Sequence, residues 1–280
     1  MIKLREPIAA ILIYVLCPLS AFASDPGSEK SGWDALKELQ DGSKRFAGSD
    51  SKHQAQNKEA SDSLVGGQKP YAIVLSCSDS RVPPELIFDQ GLGQIFTVRT
   101  AGEVADAAAV ASIEYALEHL GARLLVVMGH DSCGAVKAAL TVSAKQSDGS
   151  RDLDSLLSKI RPGVEQYKNT MEKDPTLGAP VKAHVSQVVR GLVRRSHIIR
   201  EFIEKDKLVI AHAIYRLSSR SVEFWGLGTP LIFEFEQKRK ISSHESEAEP
   251  KHAANAQSSS SKTSAKKIPE NKPKEKKAHH

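Results

Sequence analysis

Two short stretches carry the side chains with the most chemistry in this 280-residue chain: Cys77-Ser78-Asp79-Ser80-Arg81 and His130-Asp131-Ser132-Cys133-Gly134. Together they offer two thiols (Cys77, Cys133), one imidazole (His130) and one carboxylate (Asp79). Thiolate, imidazole and carboxylate are the donors that fill a tetrahedral zinc site. A single Cys-x-Asp or His-x-x-Cys is a weak pattern. Both, in a chain with only three cysteines, are more specific. The competing reading is a Cys77–Cys133 disulfide, the default for two cysteines in an exported chain. A disulfide has no use for Asp79 two residues after one cysteine, or for His130 three residues before the other.

The elements around these stretches must bring them together. Each follows an apolar run, Tyr71–Ser76 and Leu124–Met128, that reads as a strand buried on both faces. Gln94–Arg99 and Leu208–Tyr215 read as further strands, Val222–Trp225 as an antiparallel edge strand and Leu231–Glu236 as one more. Asp106–Leu120 repeats apolar residues at helical spacing and ends at Gly121. Ser132–Val142 is a second helix, with Cys133 at its N-terminus, where the dipole favours a thiolate. Ser150–Arg200 is helical in blocks divided by Pro162, Pro175 and Pro180, and a last helix ends over Ile198–Lys205. Trp33–Phe46 is amphipathic, with Ser31 as its cap, and its distance from the strands in sequence points to packing on a partner subunit. Ser49–Gly67 is polar loop with a helical turn. The alternation predicts an α/β fold: a mainly parallel central sheet with flanking helices and an antiparallel edge strand. Ligands of such sheets sit beyond the carboxyl ends of the strands, where both stretches fall.

The ends of the chain differ from its middle. Lys3 and Arg5 precede an apolar run, Ile8–Leu19, and Ala21-Phe22-Ala23 is a small-x-small cleavage site. Residues 1–23 are therefore expected to be a signal peptide, too short an apolar run for a spanning helix and interrupted by Pro18. The mature chain is expected to be exported, to the periplasm, with no membrane span. Residues 24–236 form the catalytic domain in this division, and 237–280 a basic low-complexity tail too poor in apolar residues to fold. The tail carries 11 Lys/Arg against 5 Asp/Glu, more than the whole net charge of +5. The body is thus close to neutral, which argues against a nucleic-acid-binding face.

The two stretches, with Val98-Arg99-Thr100-Ala101-Gly102, Ser112-Ile113-Glu114-Tyr115-Ala116 and Tyr215 followed by Val222-Glu223-Phe224, resemble the β-class carbonic anhydrases over roughly residues 33–225. That resemblance implies zinc on Cys77, His130 and Cys133, with water or Asp79 in the fourth position. It implies an Asp79–Arg81 dyad, a dimeric building block or a tetramer of it, and reversible hydration of carbon dioxide to bicarbonate by zinc-bound hydroxide. If Asp79 swings onto the metal the site closes, and Arg81 is the expected switch. The resemblance also implies a substrate pocket lined by Gln68, Phe96 and Tyr115, although core packing is the plain alternative for the two aromatics.

This chain departs from the family in two places. Thr100 and Glu103 stand where the family often has asparagine. Val74 stands where some members carry a tryptophan belonging to an inhibitory bicarbonate site, which favours an open, water-bound zinc here. His119, His184, His197 and His212 read as surface or satisfied core histidines. Besides carbon dioxide hydration, two readings stay open: hydrolysis of carbon disulfide or carbonyl sulfide on the same scaffold, and a non-catalytic zinc or redox protein with Cys77 and Cys133 bridged.

Overall fold

The computed structural model describes residues 30–142, 150–170 and 174–227. The expected signal peptide with Cys17, the strand over Leu231–Glu236 and the basic tail lie outside the described residues. In chain order the elements are α1 (Gly32–Ala47), α2 (Lys58–Ser63), β1 (Ala72–Cys77), α3 (Pro84–Ile87), β2 (Ile95–Thr100) and a 3-10 turn at Ala101–Glu103. There follow α4 (Ala107–His119), β3 (Leu124–His130), α5 (Gly134–Thr141), α6 (Arg151–Val164), α7 (Gly178–Arg195), α8 (His197–Glu204), β4 (Val209–Arg216) and β5 (Ser221–Trp225).

The five strands form one sheet in the order β2-β1-β3-β4-β5. All pairs are parallel except β4 with β5, the antiparallel edge read from the sequence. Every residue of β1 and β3 is buried. Central strands covered on both faces read as continuous apolar runs, and these do. The chain leaves β1 for β2 on one side and returns with β3 on the other. The order reverses between β1 and β3, and a crevice opens at that point beyond the carboxyl ends. Cys77 and His130 are the last residues of those two strands.

Helices α4 and α7 cover the sheet, α4 against β1 and β2 and α7 against β3 and β4. Asp106 caps α4 by accepting from the Ala109 amide, and Ser31 caps α1 by accepting from the Asp34 amide. Two proline expectations are corrected. Pro162 lies inside α6 and Pro180 in the first turn of α7. A first-turn proline lacks only an N–H that has no helical partner there, and Pro162 is followed within a few residues by a 3-10 turn at Glu165–Thr170.

Within its own chain helix α1 packs against β1, β3, β4 and β5, and Trp33 on it stays 54% exposed. Ala35, Leu36 and Leu39 are buried, and Gly42 lies so close to the Phe88 carbonyl that a Cβ would sit 1.8 Å from that oxygen. Asp89, 4% exposed, anchors the helix end by accepting from Arg45 Nε at 2.6 Å and from the Lys52 and His53 amides.

Candidate metal centre

Parallel register places the two sequence stretches side by side. Ser76 pairs with Met128, so Cys77 ends beside Gly129, one residue before His130. Beyond the strand end, His130-Asp131-Ser132 turns sharply into α5, with Ser132 at φ 53° and its amide donating to the Thr176 carbonyl at 2.7 Å. That turn sets Cys133 at the cap of α5. The result is a cluster in which Cys77, His130 and Cys133 are all buried and their ligand atoms lie within 4.8 Å of one another.

The geometry fits a metal. The two sulfurs are 4.0 Å apart and both cysteines are free thiols. Two sulfurs at ~2.3 Å from zinc, with a tetrahedral angle between them, stand ~3.8 Å apart, whereas a disulfide requires ~2.05 Å. His130 Nδ1 lies 2.8 Å from the Asp131 carbonyl oxygen, an acceptor only, so Nδ1 carries the proton. The Nε2 lone pair is then free, and that atom is buried with no hydrogen-bond partner. A buried polar atom without a partner is costly; here it points at two sulfurs, and a zinc ion on all three would satisfy it.

The thiols share a proton as they stand. The hydrogen bond between the two sulfurs, in which either can be the donor, lowers the Cys77 pKa; His130 and the Gly102 amide, 3.3 Å from Cys77 Sγ, lower it further against the opposing effect of burial. Cys133 is pushed up, first by that same bond and then by burial. A metal ion would deprotonate both.

Asp79 stands at the edge of the cluster. Its Oδ2 is 3.8 Å from His130 Nε2, yet it is not among the converging ligand atoms. Both of its oxygens are engaged by Arg81: Nε and the backbone amide donate to Oδ1, each at 2.9 Å, and Nη2 to Oδ2 at 2.7 Å. This bidentate pairing holds the Asp79 carboxyl well below the usual carboxylate range.

Gln68, Phe96 and Tyr115 are elsewhere. Phe96 pairs with Ile73 in the parallel register, four residues before Cys77, or ~13 Å along the strand. Its ring centroid lies 6.5 Å from that of Tyr115, which is 51% exposed, and Gln68 is exposed just ahead of β1. These three do not line the Cys77–His130–Cys133 cluster of the same chain. Of the histidines, His184 and His212 are buried and bonded to backbone carbonyls of Gly102 and Gly226, while His119 and His197 are exposed.

Several residues around the centre went unread in the sequence. Arg99, beside Ser76 in the register, donates from Nε to the Cys77 carbonyl at 3.0 Å and from Nη2 to the Asp79 carbonyl at 2.6 Å, clamping the first stretch. Gly102, at φ 64°, turns its amide onto Cys77; a Cβ there would stand 2.8 Å from Ile160 Cδ1. Next to it Glu103 is 0% exposed, and neither of its oxygens has a hydrogen-bond partner among the described residues. Burial first, and then the charge of Cys77, push its carboxyl well above the ordinary range. The only sequence signal was Glu103 in a place where the family often has an amide.

The comparisons agree with this geometry. Residues 72–222 match the family model described as carbonic anhydrase. A carbonic anhydrase 2 of Mycobacterium tuberculosis is 40% identical over 198 residues, 67% of this chain and 88% of that protein. A carbonic anhydrase of Mycolicibacterium smegmatis is 38% identical over 194 residues, 69% of this chain and 91% of that one. Among solved structures, a β-carbonic anhydrase of Aspergillus fumigatus superposes with a TM-score of 0.56 at 26% identity, covering 74% of this chain and 97% of that one. One of two tetrameric β-carbonic anhydrases of Sordaria macrospora gives 0.55 at 23%, covering 70% and 99%. With its sheet order, its cluster and more than half its length matched, the chain belongs to the β-carbonic anhydrase family.

Proposed function

We propose that this chain catalyses the reversible hydration of carbon dioxide to bicarbonate and a proton, with zinc held by Cys77, His130 and Cys133. The observation that carries this reading is the convergence of two free thiols and a partnerless buried imidazole nitrogen within 4.8 Å. Zinc at such a site supplies Lewis acidity, lowering the pKa of bound water from ~15.7 toward ~7 and so making a nucleophile available at neutral pH. The chain's own residues do the rest. Arg81 keeps Asp79 ionised and occupies both its oxygens, so the carboxylate serves as a hydrogen-bond acceptor beside the metal rather than as a fourth ligand. Arg99 holds the backbone from Cys77 to Asp79 in place, which fixes where that acceptor points. His130 is fixed in the Nδ1–H tautomer by the Asp131 carbonyl and presents Nε2.

The family's tetrameric relatives support an oligomer. Gln68, Phe96 and Tyr115 reach a substrate only if a second copy lays them over the crevice, since their own chain keeps them at the other end of the strands. The domain division at residues 23 and 236, export to the periplasm and a solvated basic tail belong to the same proposal. They rest on the charge and hydropathy of the chain's ends. Among the described residues no helix is long and apolar enough to cross a membrane.

The test is stopped-flow carbon dioxide hydration by the zinc-loaded protein, with carbon disulfide and carbonyl sulfide assayed in parallel. Hydration that rises with zinc content is the expected result. A zinc-loaded protein that hydrolyses carbon disulfide and leaves carbon dioxide untouched would overturn the substrate assignment and leave the metal site standing.

A further inference from the structure

Between His130 and Cys133 only two residues separate two ligands, and the shape of that connector decides whether the ligands meet. It is pinned on both sides. Past the turn, Ser132, in the left-handed region at φ 53°, donates its amide to Thr176. Before the turn, Asp131 is held by three bonds. Its amide donates to the Tyr215 carbonyl at 3.1 Å, its carbonyl accepts the His130 Nδ1–H, and its Oδ1 accepts from Arg216 Nη1 at 2.7 Å.

Arg216 is itself fixed. Its Nε and Nη2 donate to the two oxygens of Glu223 at 2.7 and 3.0 Å, and Lys182 from α7 donates to Glu223 Oε2 at 2.8 Å. The antiparallel β4–β5 turn brings the two together, pairing Arg216 with Ser221 two residues before Glu223. Gly178 closes the other side: a Cβ there would stand 2.8 Å from Arg216 Nη1. The Asp131 side chain is 8% exposed and that of Arg216 21%, so this is not a loose surface pair. Three N–H groups of one planar guanidinium serve two carboxylates at once, a geometry lysine cannot reproduce.

We infer that Arg216 is a positioning residue for the metal centre, acting through Asp131 on the ring of His130. Arg216 and Glu223 lie more than 80 residues from His130 in sequence and touch no ligand atom. Their effect passes through the Asp131 carbonyl, which sets the tautomer and angle of the imidazole. Groups bonded directly to a metal ligand, as the Asp131 carbonyl is to His130, typically change affinity about 10- to 100-fold when removed, and Arg216 stands one step further out.

This inference rests on the zinc reading, and the experiment separates the two. Zinc release to a chelator and the absorption spectrum of the cobalt-substituted protein are measured for the wild type, Arg216→Ala, Arg216→Lys and Glu223→Gln. Unfolding midpoints are followed alongside. The expected result is zinc release several-fold to about 10-fold faster in Arg216→Ala, with shifted cobalt bands. Arg216→Lys does not restore the wild-type values, and Glu223→Gln shows a smaller change in the same direction. Lower unfolding midpoints with zinc release and cobalt spectrum unchanged would overturn the inference, since a merely structural role moves only the midpoint. If Arg216→Ala does not fold, unchanged release in both Arg216→Lys and Glu223→Gln overturns it equally. A wild-type protein that takes up neither zinc nor cobalt overturns the zinc reading itself and the inference with it.

Discussion

Glu103 provides the sharpest quantitative expectation. Its carboxyl is fully buried, has no hydrogen-bond partner among the described residues and is pushed well above the ordinary glutamate range by burial. In the unfolded chain the same group releases its proton above pH ~4.3. Between that pH and its raised folded-state pKa, the folded protein holds one proton more than the unfolded chain. Rising pH therefore favours unfolding, by about 1.4 kcal/mol per pH unit for one proton. Glu103→Gln keeps the shape and cannot ionise in either state, so its stability relative to wild type should climb with pH. From pH 5.5 to 7.5 the gain amounts to roughly 3 kcal/mol if Glu103 keeps its proton in the fold across that window. The assay is urea unfolding of both zinc-loaded proteins at pH 5.5, 6.5 and 7.5. Protein concentration is held fixed, because assembly adds stability by mass action. The pH dependence of zinc binding is common to both proteins and cancels in the difference. A difference constant across the three pH values would refute the reasoning. It would mean that Glu103 ionises in the fold as it does in the unfolded chain.

Two further perturbations test the surroundings of the centre. Arg81→Ala frees both oxygens of Asp79 and should cost roughly tenfold or more in the carbon dioxide hydration rate, measured by stopped flow; full activity would remove the dyad from the account. Gly129→Ala places a Cβ 2.5 Å from Val181 Cγ1 and 2.9 Å from Val185 Cγ2, directly before His130. Overpacking of this kind costs about 1–3 kcal/mol, read as a lower unfolding midpoint, and an unchanged midpoint would show that α7 yields freely.

What could be read from the sequence was local. The strands of the sheet announced themselves because central parallel strands are apolar throughout, as Ala72–Leu75 and Leu124–Met128 are. The three residues of the cluster were legible because their spacing within each stretch is short. The pieces that complete the site are brought in by register and crossover, which local pattern does not encode. Arg99 reaches Cys77 only because β2 pairs with β1 in that register, and Arg216 reaches Asp131 only because β4 lies beside β3. The same register sets Phe96 beside Ile73, four residues before Cys77 along β1. Which residues of its own chain α1 meets was not legible, because an apolar stripe says that a helix packs, not on what. The close approach at Gly42 and the Arg45–Asp89 pair, 44 residues apart, decide that. The short α3 at Pro84–Ile87 offers too few residues for any periodicity to show.

The central claim is that Cys77, His130 and Cys133 together hold zinc, and zinc-edge X-ray absorption on the purified protein tests it most directly. The expected result is one zinc per chain with two sulfur ligands at ~2.3 Å, one imidazole nitrogen at ~2.0–2.1 Å and a light atom completing the tetrahedron. A protein without zinc, in which Cys77 and Cys133 titrate as a disulfide, would contradict it.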